Sequence, residues 1–147
     1  MSETTARAST VIDASGKEVW DALTDPDAIR QYFMGATVST DWLVGSPITF
    51  AGEWKGKKYE DKGTILTFRP AAELSFSHWS PMSGSEDAPE NYHVVDINLA
   101  EKNGATEVVL TQSNLIGGAT EADRAARADY EKNWKSVLQG LKQVVES

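Results

Sequence analysis

The C-terminal run from Glu121 to Val145 narrows the folds open to this chain more than any other stretch. Ala126, Tyr130, Trp134, Val137, Leu138, Leu141, Val144 and Val145 recur at steps of three and four residues, the spacing that gathers side chains on one face of a helix. The run predicts a single amphipathic helix about 37 Å long at 1.5 Å per residue. No other helical pattern is half that length, and almost everything before it alternates like strand. A lone long helix with one apolar face has to bury that face on a sheet. Tyr130 and Trp134 are expected on the buried side.

The preceding residues supply the sheet. Thr10, Val11 and Ile12 mark a first strand over Ala6 to Asp13. Ser15-Gly-Lys-Glu18 is a capping box, in which hydroxyl and carboxylate each satisfy the other residue's amide. Asp25-Pro26 reads as an N-cap with proline at the first helical position. Two short helices should therefore follow strand one in tandem. A short strand near Val38 comes next, then Ile48 to Trp54, Tyr59 to Phe68, Leu74 to Trp79, His93 to Leu99 and Thr106 to Gln112. Lys55-Gly56, Arg69-Pro70 and Asn103-Gly104 are the turns, and Ser80 to Glu90 is a long polar loop.

Facing residues of an antiparallel pair share one side of the sheet, so the hairpins test one another. A turn at Asn103-Gly104 sets Leu99 opposite Val108, Ile97 opposite Leu110, Val95 opposite Gln112 and His93 opposite Asn114. Pairing Leu74 with Ile97 then brings Phe76 to Val95 and His78 to His93. Around Pro70, Phe68 meets Leu74 and Leu66 meets Phe76. Four strands agree on one apolar face. The Lys55-Gly56 hairpin does not, because strict alternation from an inward Leu66 also turns Lys62 inward; a bulge near Gly63 is expected to reset the phase.

Composition removes several classes of function. The 147 residues suit one domain, 1–147, and 14 basic against 22 acidic residues leave a formal charge of -8. That field repels nucleic-acid backbones and anionic membranes, so neither is expected as a partner. Without cysteine there is no disulfide, thiolate catalysis or thiolate metal site. No apolar run approaches the roughly 18 residues of a membrane span, and the N-terminus is polar, so a cytoplasmic location is expected.

The residues also resemble a known family. Ile12-Asp-Ala-Ser-Gly-Lys-Glu-Val-Trp-Asp-Ala-Leu-Thr-Asp-Pro26, Gly63-Thr-Ile-Leu66, Arg69-Pro70 with Leu74, Thr106-Glu-Val-Val-Leu-Thr111 and Trp134 to Lys142 are similar to single-domain relatives of the activator of Hsp90 ATPase, in the START-like superfamily. The resemblance implies an α+β helix-grip (START/Bet v 1-like) fold: a curved antiparallel sheet of about seven strands wrapped on the C-terminal helix. It also implies a cavity between sheet and helix. Its relatives include lipid carriers, cyclases and hydrolases, so the fold alone does not name an activity. The resembled eukaryotic co-chaperone carries a second domain that makes much of its contact with Hsp90. A chain of 147 residues has no room for one, which counts against a chaperone partner.

Alternate connections of a meander share an end, so Lys55-Gly56, Ser80 to Glu90 and Asn114 to Ala119 should rim one mouth. The candidate ligand-binding residues are Trp54, Phe76, His78, His93, Val95, Gln112, Asn114, Tyr130 and Trp134: apolar walls with a few converging polar groups, as in small-molecule sites generally. The first expectation is a non-enzymatic binder of a small hydrophobic or amphipathic molecule, with no cofactor and no metal. An enzyme using His78 and His93 as acid and base is the alternative, and an interaction module the third. The bland reading has both histidines merely hydrogen-bonding the long loop. Ala122 and Ala126 leave the stripe thin over the mouth, so a cavity is expected there with Tyr130 and Trp134 as its roof. Exposed sheet edges allow a homodimer as well as a monomer.

Overall fold

The computed structural model describes residues 4–33 and 35–147, except for the side chain of Trp54. Strand β1 (Thr4–Ile12) is followed by helices α1 (Gly16–Leu23) and α2 (Pro26–Tyr32), whose starts are where the capping signals put them. Ser15 Oγ accepts from the Glu18 amide at 3.1 Å, and Asp25 Oδ1 accepts from the Asp27 amide at 3.0 Å. Six further strands are β2 (Thr37–Ser39), β3 (Pro47–Trp54), β4 (Lys57–Arg69), β5 (Glu73–His78), β6 (His93–Lys102) and β7 (Ala105–Asn114), and α3 (Glu121–Glu146) closes the chain. The seven strands form one antiparallel sheet in the order β1-β7-β6-β5-β4-β3-β2. Both residues of the Lys55-Gly56 and Asn103-Gly104 turns have positive φ, the backbone that matches the twist of two-residue hairpins.

From β5 to β7 the register is the expected one: His78 faces His93, Phe76 faces Val95, Leu74 faces Ile97, Val95 faces Gln112 and His93 faces Asn114. Strand β4 departs from expectation. Phe68 does face Leu74, but Phe76 faces Ile65 and not Leu66, because the register slips by one residue between Ile65 and Thr67. The extra residue of a bulge reverses every side chain beyond it. Ile65 is therefore fully buried and Leu66 is 37% exposed. The irregularity lies at Leu66, not Gly63. It leaves Lys62 exposed and turns Asp61 inward.

The concave face and the two short helices enclose one aromatic-rich core. Phe33 stacks on Phe50 at 5.1 Å, Phe50 tilts against Phe76 at 5.5 Å, and Trp20 meets Phe68 edge-on at 5.2 Å. Val137, Leu138 and Leu141 of α3 are buried in it. No described helix is long and apolar enough to cross a membrane.

Helix α3 also closes a sheet edge. β1 is an edge strand, and alternate backbone groups there point away from β7. Glu131 Oε2 accepts from the Arg7 amide at 2.9 Å, Glu146 Oε2 accepts from the Asp13 amide at 2.8 Å, and Lys142 Nζ donates to the Val11 carbonyl at 2.6 Å.

Candidate functional site

The cross-strand pairs that end β5, β6 and β7 place His78, His93 and Asn114 side by side at one end of the sheet. The first turns of α3 lie over them. Between the two, closed on the third side by the 79–91 loop, is a pocket of about 370 Å³ lined by His78, His93, Asn114, Asp123, Tyr130 and Glu90 among others. It sits beneath the thin half of the helical stripe.

Each imidazole is held by a carboxylate. His78 Nε2 lies 3.0 Å from Asp61 Oδ2, and the His78 ring packs edge-on against Phe50 at 5.9 Å. His93 Nε2 lies 3.5 Å from Asp123 Oδ1, and its ring meets Tyr130 edge-on at 5.7 Å. Asp123 is itself fixed, because it occupies the third position of a capping box at the start of α3. Its Oδ2 accepts from the Thr120 amide at 2.9 Å and from Asn114 Nδ2 at 2.8 Å, while Thr120 Oγ1 accepts from the Asp123 amide at 3.0 Å.

Protonation follows from these contacts. Burial pushes the His93 pKa below its ordinary value against the pull of Asp123, and nearby His78 pushes the same way as burial. Burial acts to raise Asp123, but the Thr120 backbone, the Asn114 amide, the Thr120 side chain and His93 together hold it below the ordinary carboxylate value. The Tyr130 phenol is raised by burial first and by Asp123 second.

The remaining expected residues lie elsewhere. Phe76, Val95 and Trp134 line a separate apolar space of about 40 Å³ in the core, room for about one water molecule and no ligand. The two spaces share no lining residue. Tyr130 roofs the polar pocket, and Trp134 roofs the apolar one. Gln112 stands beside Trp134: its Oε1 accepts from Trp134 Nε1 at 2.8 Å and its Nε2 donates to Thr5 Oγ1 at 3.1 Å. The side chain of Trp54 lies outside the described residues.

Neither histidine bonds the long loop. That loop is secured by the ion pair of Lys62 with Asp87, by Tyr92 Oη donating to Asp87 Oδ1 at 2.6 Å and by Trp79 Nε1 donating to Ser85 Oγ at 3.2 Å. The Gly117-Gly118 turn offers no vacant anion cradle at Thr120, whose amide already holds the Asp123 carboxylate. Among the described residues no group of three or more His, Asp or Glu side chains is placed to share a metal ion.

Residues 13–146 match the family described as Activator of Hsp90 ATPase homolog 1-like protein. The chain belongs to that family. A member-like solution structure, ChR145 from Cytophaga hutchinsonii, is 48% identical over 96% of this chain and 92% of that one, with a TM-score of 0.78. CalU16 from Micromonospora echinospora is 21% identical over 93% of this chain and 73% of its own, at a TM-score of 0.69. The Aha1 dimer from Colwellia psychrerythraea is 21% identical over 96% of this chain and 95% of that one, at 0.70. The last two speak for the fold alone. No curated protein matches the chain. Within this fold the mouth pocket is a place where polar groups from β5, β6, β7 and α3 converge.

Proposed function

We propose that the protein is a non-enzymatic binder of a small amphipathic molecule, held in the mouth pocket with its polar end toward His78, His93 and Asn114. The observation that carries this reading is the 370 Å³ pocket under the first turns of α3. Polar groups with fixed orientation line its floor, and the Tyr130 ring gives it an apolar wall. The apolar end of a larger ligand would need the neighbouring 40 Å³ space to open by movement of Trp134. Native mass spectrometry of the purified protein, followed by titration of small amphiphiles monitored by tryptophan fluorescence, tests the proposal. A retained or titrated ligand whose binding survives His93→Ala supports it. No bound species, and no saturable response to any amphiphile, would overturn it.

A second reading rests on the two carboxylate-held imidazoles. A histidine oriented by Asp61 or Asp123 is equipped for proton transfer, and a desolvated imidazole stays neutral and able to accept a proton near pH 7. Turnover of a pocket-sized substrate that His93→Ala abolishes would favour this reading over simple binding.

A further inference from the structure

The charge of the mouth pocket restricts the chemistry of what it holds. Its described lining contains Glu90 and Asp123 and neither lysine nor arginine. Its two imidazoles add no net positive charge, because each stands against its own carboxylate: His78 on Asp61 at 3.0 Å and His93 on Asp123 at 3.5 Å. A pair is neutral when its histidine is protonated and carries one negative charge when it is not. The pocket is therefore negative in every protonation state that leaves the carboxylates ionised, and the chain around it carries -8.

A second observation points the same way. Asp61 is 9% exposed, and its Oδ2 faces His78 Nε2, so its charge acts on the pocket through that ring, across buried surroundings that screen it little. Asp61 stands behind the ring of His78, which lines the pocket. The Tyr130 ring in the pocket wall offers a π surface, to which cations are attracted.

We infer that the polar end of the ligand is a cation, an ammonium group carried on a small apolar frame, drawn by Glu90 and Asp123, with Asp61 adding to the field from behind His78. This rests on the mouth pocket being a binding site, and it excludes fatty acids, phosphates and other anions from that site.

Three probes of matched shape separate the terms: 2-phenylethylammonium, 2-phenylethanol and 3-phenylpropanoate, each titrated at pH 7 into isotopically labelled protein. Shifts of the Trp79 indole and the His93 amide report occupancy. The ammonium should bind at least tenfold more tightly than the carboxylate and more tightly than the alcohol. Glu90→Gln should weaken the ammonium about threefold or more and leave the alcohol unchanged. Glu107→Gln removes the same charge at the opposite end of β7 and should change neither. Equal or tighter binding of the carboxylate or the alcohol overturns the inference and leaves the binder standing. Equal weakening by Glu107→Gln also overturns it, since the attraction would then be diffuse. If no probe shifts either resonance at millimolar concentration, the mouth-pocket reading fails and the inference with it.

Discussion

A Cβ at Gly63 would stand 1.6 Å from the Ser77 carbonyl oxygen, so β4 and β5 approach there as only glycine allows. Gly104 poses the other kind of demand, since it has φ of +82° with nothing near its missing Cβ. Gly63→Ala should cost about 3 kcal/mol or more, because backbone has to move. Gly104→Ala should cost about 1 kcal/mol, the penalty of a left-handed backbone. Urea denaturation of the two variants measures the difference. The need for a phase reset in β4 was legible in the clash between an inward Leu66 and an inward Lys62, but the close approach at Gly63 was not. The position of the bulge was not, because period-two alternation has the same form on either side of an inserted residue. That is why Asp61, the partner of His78, escaped the sequence reading. Asp123 left a usable trace, since Thr120 and Asp123 stand at the spacing of a capping box; its second role toward His93 depends on β6 and α3 meeting.

The first turn of α3 and its flank serve different elements. Asp123 raises the pKa of His93 against the burial that lowers it. Asp123→Asn should therefore move the His93 pKa still further below its ordinary value, as read from the imidazole proton shifts across a pH titration. Loss of the negative charge at this capping-box position in the first turn should also cost about 0.5–1 kcal/mol of stability. Farther along, Glu131 and Lys142 satisfy backbone groups of β1, and Glu146 that of Asp13 just after it, which another strand would otherwise seek. Replacing all three by alanine should reopen that edge. Sedimentation equilibrium should then show self-association that grows with concentration relative to the parent chain. The helix and its apolar stripe were plain from the spacing of Tyr130, Trp134, Val137 and Leu141. Its polar stitching to β1 was not, because those contacts join residues more than a hundred positions apart.

For the molecule as a whole, acidity is a source of strain outside the pocket. On β6 the carboxyl of Asp96 has its pKa raised to about 6 by burial and by neighbouring Glu73, and its Oδ1 is buried without a partner. The folded value lies above the ordinary 3.8, so the native state holds this proton more tightly than the unfolded chain does. Its contribution is favourable at low pH and is lost as pH rises through about 4 to 6. Asp96→Asn should consequently raise the melting temperature at pH 7 to 8, by the equivalent of about 1 kcal/mol once solvent screening is allowed for. The gain should fade toward pH 4, and thermal melts at both pH values check it. The neighbour order β4-β5-β6-β7 and the face shared by β5, β6 and β7 were readable from hairpin consistency alone, whereas the pairing of β1 with β7 was not. The division of the interior into two spaces was not, since it turns on how closely Trp134, Phe33 and Phe76 fill the core. One consequence remains in the capping box of α3. The carboxylate that steadies His93 through Oδ1 also ties down the Thr120 amide through Oδ2, so occupation of the pocket and fraying of the helix draw on the same side chain. Hydrogen exchange at Thr120 to Arg124 would then keep a record of whether the mouth is filled, without any label on the guest.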